Sequence, residues 1–308
     1  MLFEDIESIK KLTIEQKTKL LNSNNRYQLK SGLHRSNMML NPLNLKHLNQ
    51  LDNLVADAVT LNLEDAIAPA RKKEALLNIA LALSKLKETN SEIIIRVNPL
   101  NKGGLEEIKF LKDFCFNAIR VSKVKELSEI ITVLDILPKE KMVHISLETK
   151  EAFANLAKWG NIDRFERANI GILDLLSDLK LPQSLISCKN ETISYILTKF
   201  LIDTKIASVE PTSFMYQDYK NLKEFEEISI WERSLGFRSK ACMGPAQVKI
   251  ANRVFAPTKD EINRAKEIKE AFEESSKRDI NGFMHKSYGF IDEPIYKDAL
   301  NILNLLKN

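Results

Sequence analysis

Glycine is scarce in this sequence, and its scarcity excludes several kinds of catalytic site. The 308 residues include nine glycines, and no G-x-G-x-x-G dinucleotide fingerprint or phosphate-binding P-loop can be assembled from them. A G-x-S-x-G nucleophile elbow is also missing. The sequence therefore offers no motif for these nucleotide sites and none for an esterase-type serine.

Histidine and cysteine are few as well. The four histidines form no H-E-x-x-H pair, and the three cysteines, Cys115, Cys188 and Cys242, are far apart without metal-type spacing. His144 lies in an apolar run, where a core histidine is expected. An odd number of separated thiols is typical of a reducing compartment, so we expect a cytoplasmic protein whose cysteines pack in its core.

Long apolar runs and basic blocks are missing too. No run approaches membrane-spanning length, and the first residues carry acids where a signal peptide carries bases. Net charge is +4, with lysine and glutamate scattered along helical faces, which argues against a nucleic-acid partner. We expect a soluble protein that binds a small molecule, and neither a membrane nor nucleic acid.

What the sequence does contain, from His34 onward, is an alternation of short apolar runs and amphipathic helices. Eight such strands alternating with helices predict an α/β fold of the (β/α)8 TIM-barrel type. An open doubly wound sheet is the alternative, although it more usually has about five or six strands. The predicted strands are 35–40, 55–63, 92–98, 117–122, 142–147, 168–173, 205–210 and 239–243.

The barrel domain is predicted to span residues 34–257. Residues 1–33 are polar, with spaced apolar positions that indicate an N-terminal helical appendage. Residues 258–308 contain a charged helix, a loop with glycine and aromatic residues, and a last amphipathic helix. These residues predict a C-terminal helical extension.

Charged side chains follow six consecutive predicted strands of the barrel. Because TIM-barrel chemistry lies at the carboxyl ends of the strands, this pattern predicts a polar, functional mouth. The residues, from strand two to strand seven, are Glu64 and Asp65, Arg96, Lys123, Glu148, Asp174 and Glu210.

Glu148 and Asp174 are spaced as the ends of two strands in one β-α-β unit. Both strands run the same way, so both carboxylates emerge at the same edge of the sheet. Two converging carboxylates suit Mg²⁺, which prefers oxygen ligands and retains water. The alternative is that each is a helix-start carboxylate favoured by the backbone dipole.

The other mouth residues also have structural alternatives. Asp65 could cap the helix after Pro69, and Glu64 and Lys123 could each pair with an oppositely charged neighbour. Arg96 could be a structural ion-pair partner, although a guanidinium at a barrel mouth suits bidentate carboxylate binding. From the residues alone, metal-assisted chemistry on an anionic small molecule is the prediction.

The sequence resembles the citrate lyase β-subunit family, which includes malyl-CoA and citramalyl-CoA lyases and is grouped with the HpcH/HpaI aldolases. The similarity runs in order from about residue 34 to 257. It is carried by Arg35-Ser36, Leu63-Glu64-Asp65-Ala66 with Lys72, Arg96-Val97-Asn98, Lys123-Val124, Leu147-Glu148-Thr149, Gly171-x-x-Asp174, Leu235-Gly236-Phe237, Pro245-x-Gln247 and Phe255-x-Pro257.

The resemblance implies a (β/α)8 barrel, usually a homotrimer, that binds Mg²⁺ and breaks or makes a carbon–carbon bond beside a CoA thioester. Glu148 and Asp174 would be the metal ligands, and Asp65 would orient a metal-bound water. The substrate, an acyl-CoA or oxo acid, would contact Arg35, Glu64, Arg96 and Lys123.

The late segment Gly289-Phe-Ile-Asp292-x-Pro294 resembles the aspartate that, in this family, reaches a neighbouring subunit's site as the acid/base. The alternative for Asp292 is a cap on the final helix. Some positions depart from the family pattern, notably Ser122 for proline, Gly244 for histidine and Glu210 for aspartate. An aldolase acting on free oxo acids and a non-catalytic assembly subunit therefore stand beside the lyase as functional hypotheses.

Overall fold

The computed structural model describes residues 2–30, 32, 34–188 and 190–306. The chain divides into two compact units. The first comprises the described residues up to Lys30 together with His34–Phe255, and the second comprises Gly32 and the described residues from Ala256 onward. The N-terminal segment predicted as an appendage thus belongs to the same unit as the strands, and Lys17 Nζ donates to Asn78 Oδ1 at 2.8 Å.

Eight parallel strands form the central sheet of the first unit, in the order β7-β6-β5-β4-β3-β2-β1-β8. The sheet closes just beyond β7, where Ser213 N donates to Ser239 O at 2.9 Å and Ala241 N donates to Ser213 O at 3.1 Å. This arrangement confirms the predicted (β/α)8 barrel. The strands are β1 Ser36–Leu40, β2 Ala58–Asn62, β3 Glu92–Val97, β4 Ala118–Val121, β5 Met142–Leu147, β6 Phe165–Ile170, β7 Glu210–Thr212 and β8 Lys240–Cys242.

Helices of the first unit follow the strands as the alternation predicts. Several begin at side-chain caps; Thr149 and Asn190, for example, accept from Ala152 N and Ile193 N. The helices are α1 Ile6–Lys11, α2 Ile14–Lys19, α3 Leu45–Leu48, α4 Lys72–Lys85, α5 Gly104–Leu111, α6 Leu127–Ile136, α7 Lys150–Asn155, α8 Ile172–Asp178, α9 Glu191–Ile206, α10 Leu222–Leu235 and α11 Pro245–Val254.

Strand β3 illustrates how the barrel directs side chains. Ile93 and Ile95 join the main apolar core, whereas Ile94 packs in a small separate cluster with alanines of the neighbouring strands. Because side chains alternate faces along a strand, Arg96 shares the face of Ile94. The isoleucines thereby fix the orientation of the charged residue at the end of the strand.

Strands six and seven differ from their predicted positions. Strand six, predicted over residues 168–173, is observed at Phe165–Ile170. The predicted strand 205–210 overlaps the end of α9, and β7 begins where that prediction ends. Glu210 is therefore at the amino end of its strand, exposed, with an oxygen 2.7 Å from Lys205 Nζ. The prediction that Glu210 lies at the barrel mouth is wrong, because β7 is too short to produce an apolar run of its own.

The described residues of the second unit form two helices and a hairpin. They are α12 Lys259–Ser276, β9 Gly282–His285, β10 Gly289–Asp292 and α13 Glu293–Asn304. Its own small core includes Ile268, Phe272 and Ile291. Across the described part of both units, we find no helix with the length and apolarity needed to span a membrane.

Candidate active site

A cavity of about 370 Å³ is lined by residues at and beyond the carboxyl ends of the barrel strands. Among its lining residues are Asp65, Arg96, Glu148 and Asp174. These residues lie far apart in the sequence, and the parallel strands bring them together. The cavity is therefore the candidate active site.

Arg96 is the charged centre of this site. Its Nη2 atom lies 2.6 Å from Glu148 Oε1, 2.9 Å from Glu64 Oε2 and 3.5 Å from Asp65 Oδ2. Arg96, Glu148 and Glu64 are all buried. In a low-dielectric interior such charges require close partners, so the carboxylates and the guanidinium fix one another in place.

Ser122 positions the guanidinium from the neighbouring strand. Its hydroxyl accepts from Arg96 Nε at 3.0 Å and donates to Val97 O at 2.8 Å. Proline, the residue of the resembled family here, has no hydroxyl for either bond. Ser122, which departs from the family pattern, therefore has a positioning role that no sequence motif indicates.

Lys123 places a second positive charge among the carboxylates. Its Nζ atom lies 2.9 Å from Glu64 Oε1, 3.5 Å from Asp65 Oδ1 and 3.4 Å from Asp174 Oδ1. Burial opposes the charge, but the hydrogen bond to Glu64 and the nearby carboxylates raise the pKa of Lys123. The Lys123 backbone has φ +52°, an unusual conformation for a non-glycine residue that tends to occur at functional sites.

Burial and neighbouring charges perturb the acids of the site. Burial, with the hydrogen bond to Asp65, raises the pKa of Glu64 to about 7. Burial also raises the pKa of Glu148. For Asp65, burial is outweighed by the hydrogen bond with Glu64 and by the positive charges of Arg96 and Lys123, which lower its pKa. Asp65 and Glu148 line the cavity, and perturbed acids at a cavity are typical of catalytic sites.

Lys72 and Asn98 hold the loop that carries Glu64 and Asp65. Lys72 Nζ donates to Leu63 O and Glu64 O, both at 2.6 Å, and to Asn98 Oδ1 at 2.7 Å. Asp65 does not cap the helix after Pro69, because that N-cap position is Ala68 and has no side-chain cap. The Asp65 side chain is instead half exposed beside the two positive charges.

Asp174 lies in the first turn of α8 rather than at a strand end, because β6 ends at Ile170. It nevertheless lines the cavity with Glu148. In the described part of the chain, no three or more His, Cys, Asp or Glu side chains are grouped as a ready metal site. The pair still fits Mg²⁺, which is commonly held by one or two carboxylates and otherwise by water or substrate.

Arg35 is not in this cavity. It precedes β1, and its Nε and Nη2 atoms bind Asp57 Oδ2 and Oδ1 at 2.8 and 2.9 Å. Because these residues lie at the amino ends of β1 and β2, their edge is opposite the active-site edge. This placement contradicts the prediction that Arg35 binds substrate.

Asp292 caps a helix. It is the N-cap of α13, and its Oδ1 atom accepts from Ile295 N at 3.3 Å. This is the structural alternative considered for it, and the acid/base role at a neighbouring subunit stays a prediction.

Comparison with known proteins identifies the family of this chain. The family model for HpcH/HpaI aldolase/citrate lyase matches residues 35–245. The citrate lyase β subunit of Leuconostoc mesenteroides subsp. cremoris is 25% identical over 267 residues, covering 81% of this chain and 85% of that protein. The mitochondrial citramalyl-CoA lyase of Mus musculus is 22% identical over 292 residues, covering 84% of this chain and 82% of that protein.

Solved structures share the fold. A citrate lyase from Burkholderia xenovorans LB400 matches with a TM-score of 0.76 at 14% identity, over 91% of this chain and 93% of that chain. The protein CitE of Mycobacterium tuberculosis matches with a TM-score of 0.70 at 16% identity, over 91% of this chain and 100% of that chain. With the family model covering most of the barrel, this chain belongs to the HpcH/HpaI aldolase/citrate lyase family.

Proposed function

We propose that this protein is a Mg²⁺-dependent carbon–carbon lyase that cleaves or forms a 3-hydroxyacyl-CoA thioester. The observation that carries the proposal is the convergence of Arg96, Glu148 and Asp174 in one cavity. The matching CitE structure holds magnesium, acetoacetate and coenzyme A, and a structure of the citrate lyase β subunit from M. tuberculosis holds oxaloacetate and magnesium. Magnesium with an oxo acid in both structures, and coenzyme A in the first, support the proposed cofactor and substrate class.

Glu148 and Asp174 are the residues that would hold Mg²⁺. Bound there, the ion would supply Lewis-acid stabilisation of developing negative charge. Lys123 Nζ now lies 3.4 Å from Asp174, so positive charge is already favoured beside these carboxylates.

Arg96 and Asp65 have the remaining catalytic roles in the proposed reaction. Cleavage of a 3-hydroxyacyl thioester leaves an enolate, and the Arg96 guanidinium provides fixed positive potential for it. Asp65, half exposed at the cavity, would orient a metal-bound water, as the resemblance implies, and its carboxylate would accept the proton of the substrate hydroxyl. A neighbouring cleft of about 700 Å³ shares Glu148 and Asp174 with the cavity, which gives room for a substrate longer than the cavity itself.

The homotrimer implied by the family resemblance is also part of the proposed function. A homotrimer would allow Asp292 of one subunit to return a proton to the enolate carbon in another. Size-exclusion chromatography with light scattering measures the subunit number directly.

Assay of the purified protein with citryl-, malyl- and citramalyl-CoA tests the proposed function. We expect Mg²⁺-dependent cleavage of at least one thioester into a shorter acyl-CoA and an oxo acid. Coupled assays that detect each product measure the reaction. Cleavage of the free acids at equal rates would indicate an aldolase that does not need CoA. No cleavage of any thioester, with the fold intact, would favour a non-catalytic assembly subunit.

Replacing Gly171 with alanine is expected to weaken Mg²⁺ binding about tenfold to a hundredfold, as for other changes that misplace a metal ligand. A Cβ atom at this position would lie 2.4 Å from Cγ and 2.7 Å from Oε1 of Glu148. These distances are too short for non-bonded atoms, so the Glu148 carboxylate must move. Isothermal titration with MgCl₂ measures the effect.

Gly244→Ala is the matched control for this substitution. A Cβ atom there meets nothing within 4 Å, and the backbone is extended, with φ −172°. We expect the Mg²⁺ affinity of Gly244→Ala to equal that of wild type. If the Mg²⁺ affinity of Gly171→Ala also equals that of wild type, the position of the Glu148 carboxylate does not determine metal binding.

A further inference from the structure

The cavity contains a buried guanidinium without an acidic partner. Arg120, on β4, is 3% exposed, and Asn169, on β6, is 5% exposed. Both line the cavity, and Arg120 Nη1 donates to Asn169 Oδ1 at 3.1 Å. In contrast to Arg96, Arg120 forms no ion pair with any carboxylate of the described chain.

Two further donors of this pair are left unused. Arg120 Nε and Asn169 Nδ2 are buried and have no hydrogen-bond partner among the described residues. Unsatisfied buried donors are rare in proteins, and a buried charge without a partner is more costly still. Burial, together with the charge of Arg96, lowers the pKa of Arg120 to about 9, so the side chain is charged near neutral pH but unfavourably placed without an anion.

We propose that Arg120 and Asn169 form a second anion subsite, which binds a substrate carboxylate distal to the carbon–carbon bond that is cleaved. The planar guanidinium suits a carboxylate bidentately, and Asn169 Nδ2 adds a neutral donor. The inference rests on the proposed function for the identity of the reacting bond. It narrows the substrate to one whose oxo-acid product has a second carboxylate, in place of a hydrogen atom or a methyl group.

The subsite suits a carboxylate better than a phosphate. The unused donors are few, and the residues that line the cavity include the apolar Met39, Met215 and Ala241. A dianionic phosphate would be poorly compensated by one buried guanidinium. A single carboxylate uses the available donors and neutralises the charge of Arg120.

Binding of malate and 2-hydroxybutyrate in the presence of Mg²⁺ tests the subsite. At the distal position, malate carries a carboxylate and 2-hydroxybutyrate carries a methyl group. We expect wild type to prefer malate, and Arg120→Met to weaken malate binding about 10- to 100-fold while changing 2-hydroxybutyrate binding less than about twofold. Isothermal titration calorimetry measures both, with exposed Arg238→Met as the control that leaves both affinities unchanged.

Arg120→Lys keeps a positive charge and is the second variant if the methionine variant fails to fold. It should lose less malate affinity than Arg120→Met, and again leave 2-hydroxybutyrate binding unchanged. The subsite is overturned if wild type binds neither acid, if it shows no preference for malate, or if both acids lose affinity equally in the Arg120 variants.

The outcomes also separate this inference from the proposed function. A malate preference that depends on Arg120, without cleavage of any thioester, would support the subsite and contradict the lyase. Thioester cleavage, with an Arg120→Met variant that does not discriminate the two acids, would support the lyase and overturn the subsite.

Discussion

Thioester cleavage by Glu148→Gln is expected to be at least about 10³-fold slower than cleavage by wild type, because loss of a metal ligand removes about 4 kcal/mol of charge stabilisation. Glutamine preserves the size of the side chain but removes its charge. Glu64 lies 2.9 Å from Arg96 in the unsubstituted protein, so in the variant the guanidinium should keep one buried partner and the barrel should fold. Initial rates at saturating substrate and Mg²⁺ measure the loss.

Glu210→Gln is the matched control for this substitution. Glu210 is exposed at the amino end of β7 and pairs with Lys205, so the same chemical change there should leave the rate within about twofold of wild type. A Glu148→Gln rate near that of wild type would remove Glu148 from the catalytic site. A large loss in Glu210→Gln would contradict its placement away from the mouth.

Replacing Glu232 with leucine is expected to lower the free energy of unfolding of the barrel by about 3–5 kcal/mol, because it leaves a buried charge without its partner. Lys240 Nζ lies 2.7 and 2.8 Å from the two Glu232 oxygens, and both side chains are fully buried. Ser213 Oγ donates to the same carboxylate at 2.6 Å. The pair therefore ties α10 to the seam where the barrel closes.

The double variant Glu232→Leu/Lys240→Met tests the cause of this loss. Removing both charges should recover most of the stability, since replacing a buried ion pair with apolar residues is often neutral or stabilising. Urea unfolding followed by circular dichroism measures the free energies, and an unchanged slope with urea shows that the same surface is exposed. A double variant as unstable as Glu232→Leu would show that packing, rather than the unpaired lysine, sets the cost.

Much of the barrel can be predicted from the sequence because its strands are buried on both sides. Runs such as Ile93–Ile95, followed by Arg96, combine strand propensity with a charged end. Parallel strands then carry such ends to one edge, which is why Asp65, Arg96, Glu148 and Asp174 could be grouped before any coordinates. Strand β7 has three residues and no such run, so its position was missed.

Pairwise contacts within the site were not predictable in the same way. Nothing in the local sequence indicates that Arg35 pairs with Asp57, that Ser122 holds Arg96, or that Arg120 has no acidic partner. These contacts join different strands and depend on register and side-chain conformation. Asp292 shows the opposite case, because the cap it forms on α13 is a local contact and had been considered.

Anomalous diffraction from crystals soaked in MnCl₂ is the most direct measurement of the proposed metal site, because Mn²⁺ accepts the oxygen ligands that Mg²⁺ prefers. We predict a peak bound by the carboxylates of Glu148 and Asp174, with the Lys123 ammonium moved away from Asp174. A cavity without a peak at saturating Mn²⁺, or a peak bound only by other residues, would contradict the proposed catalytic site.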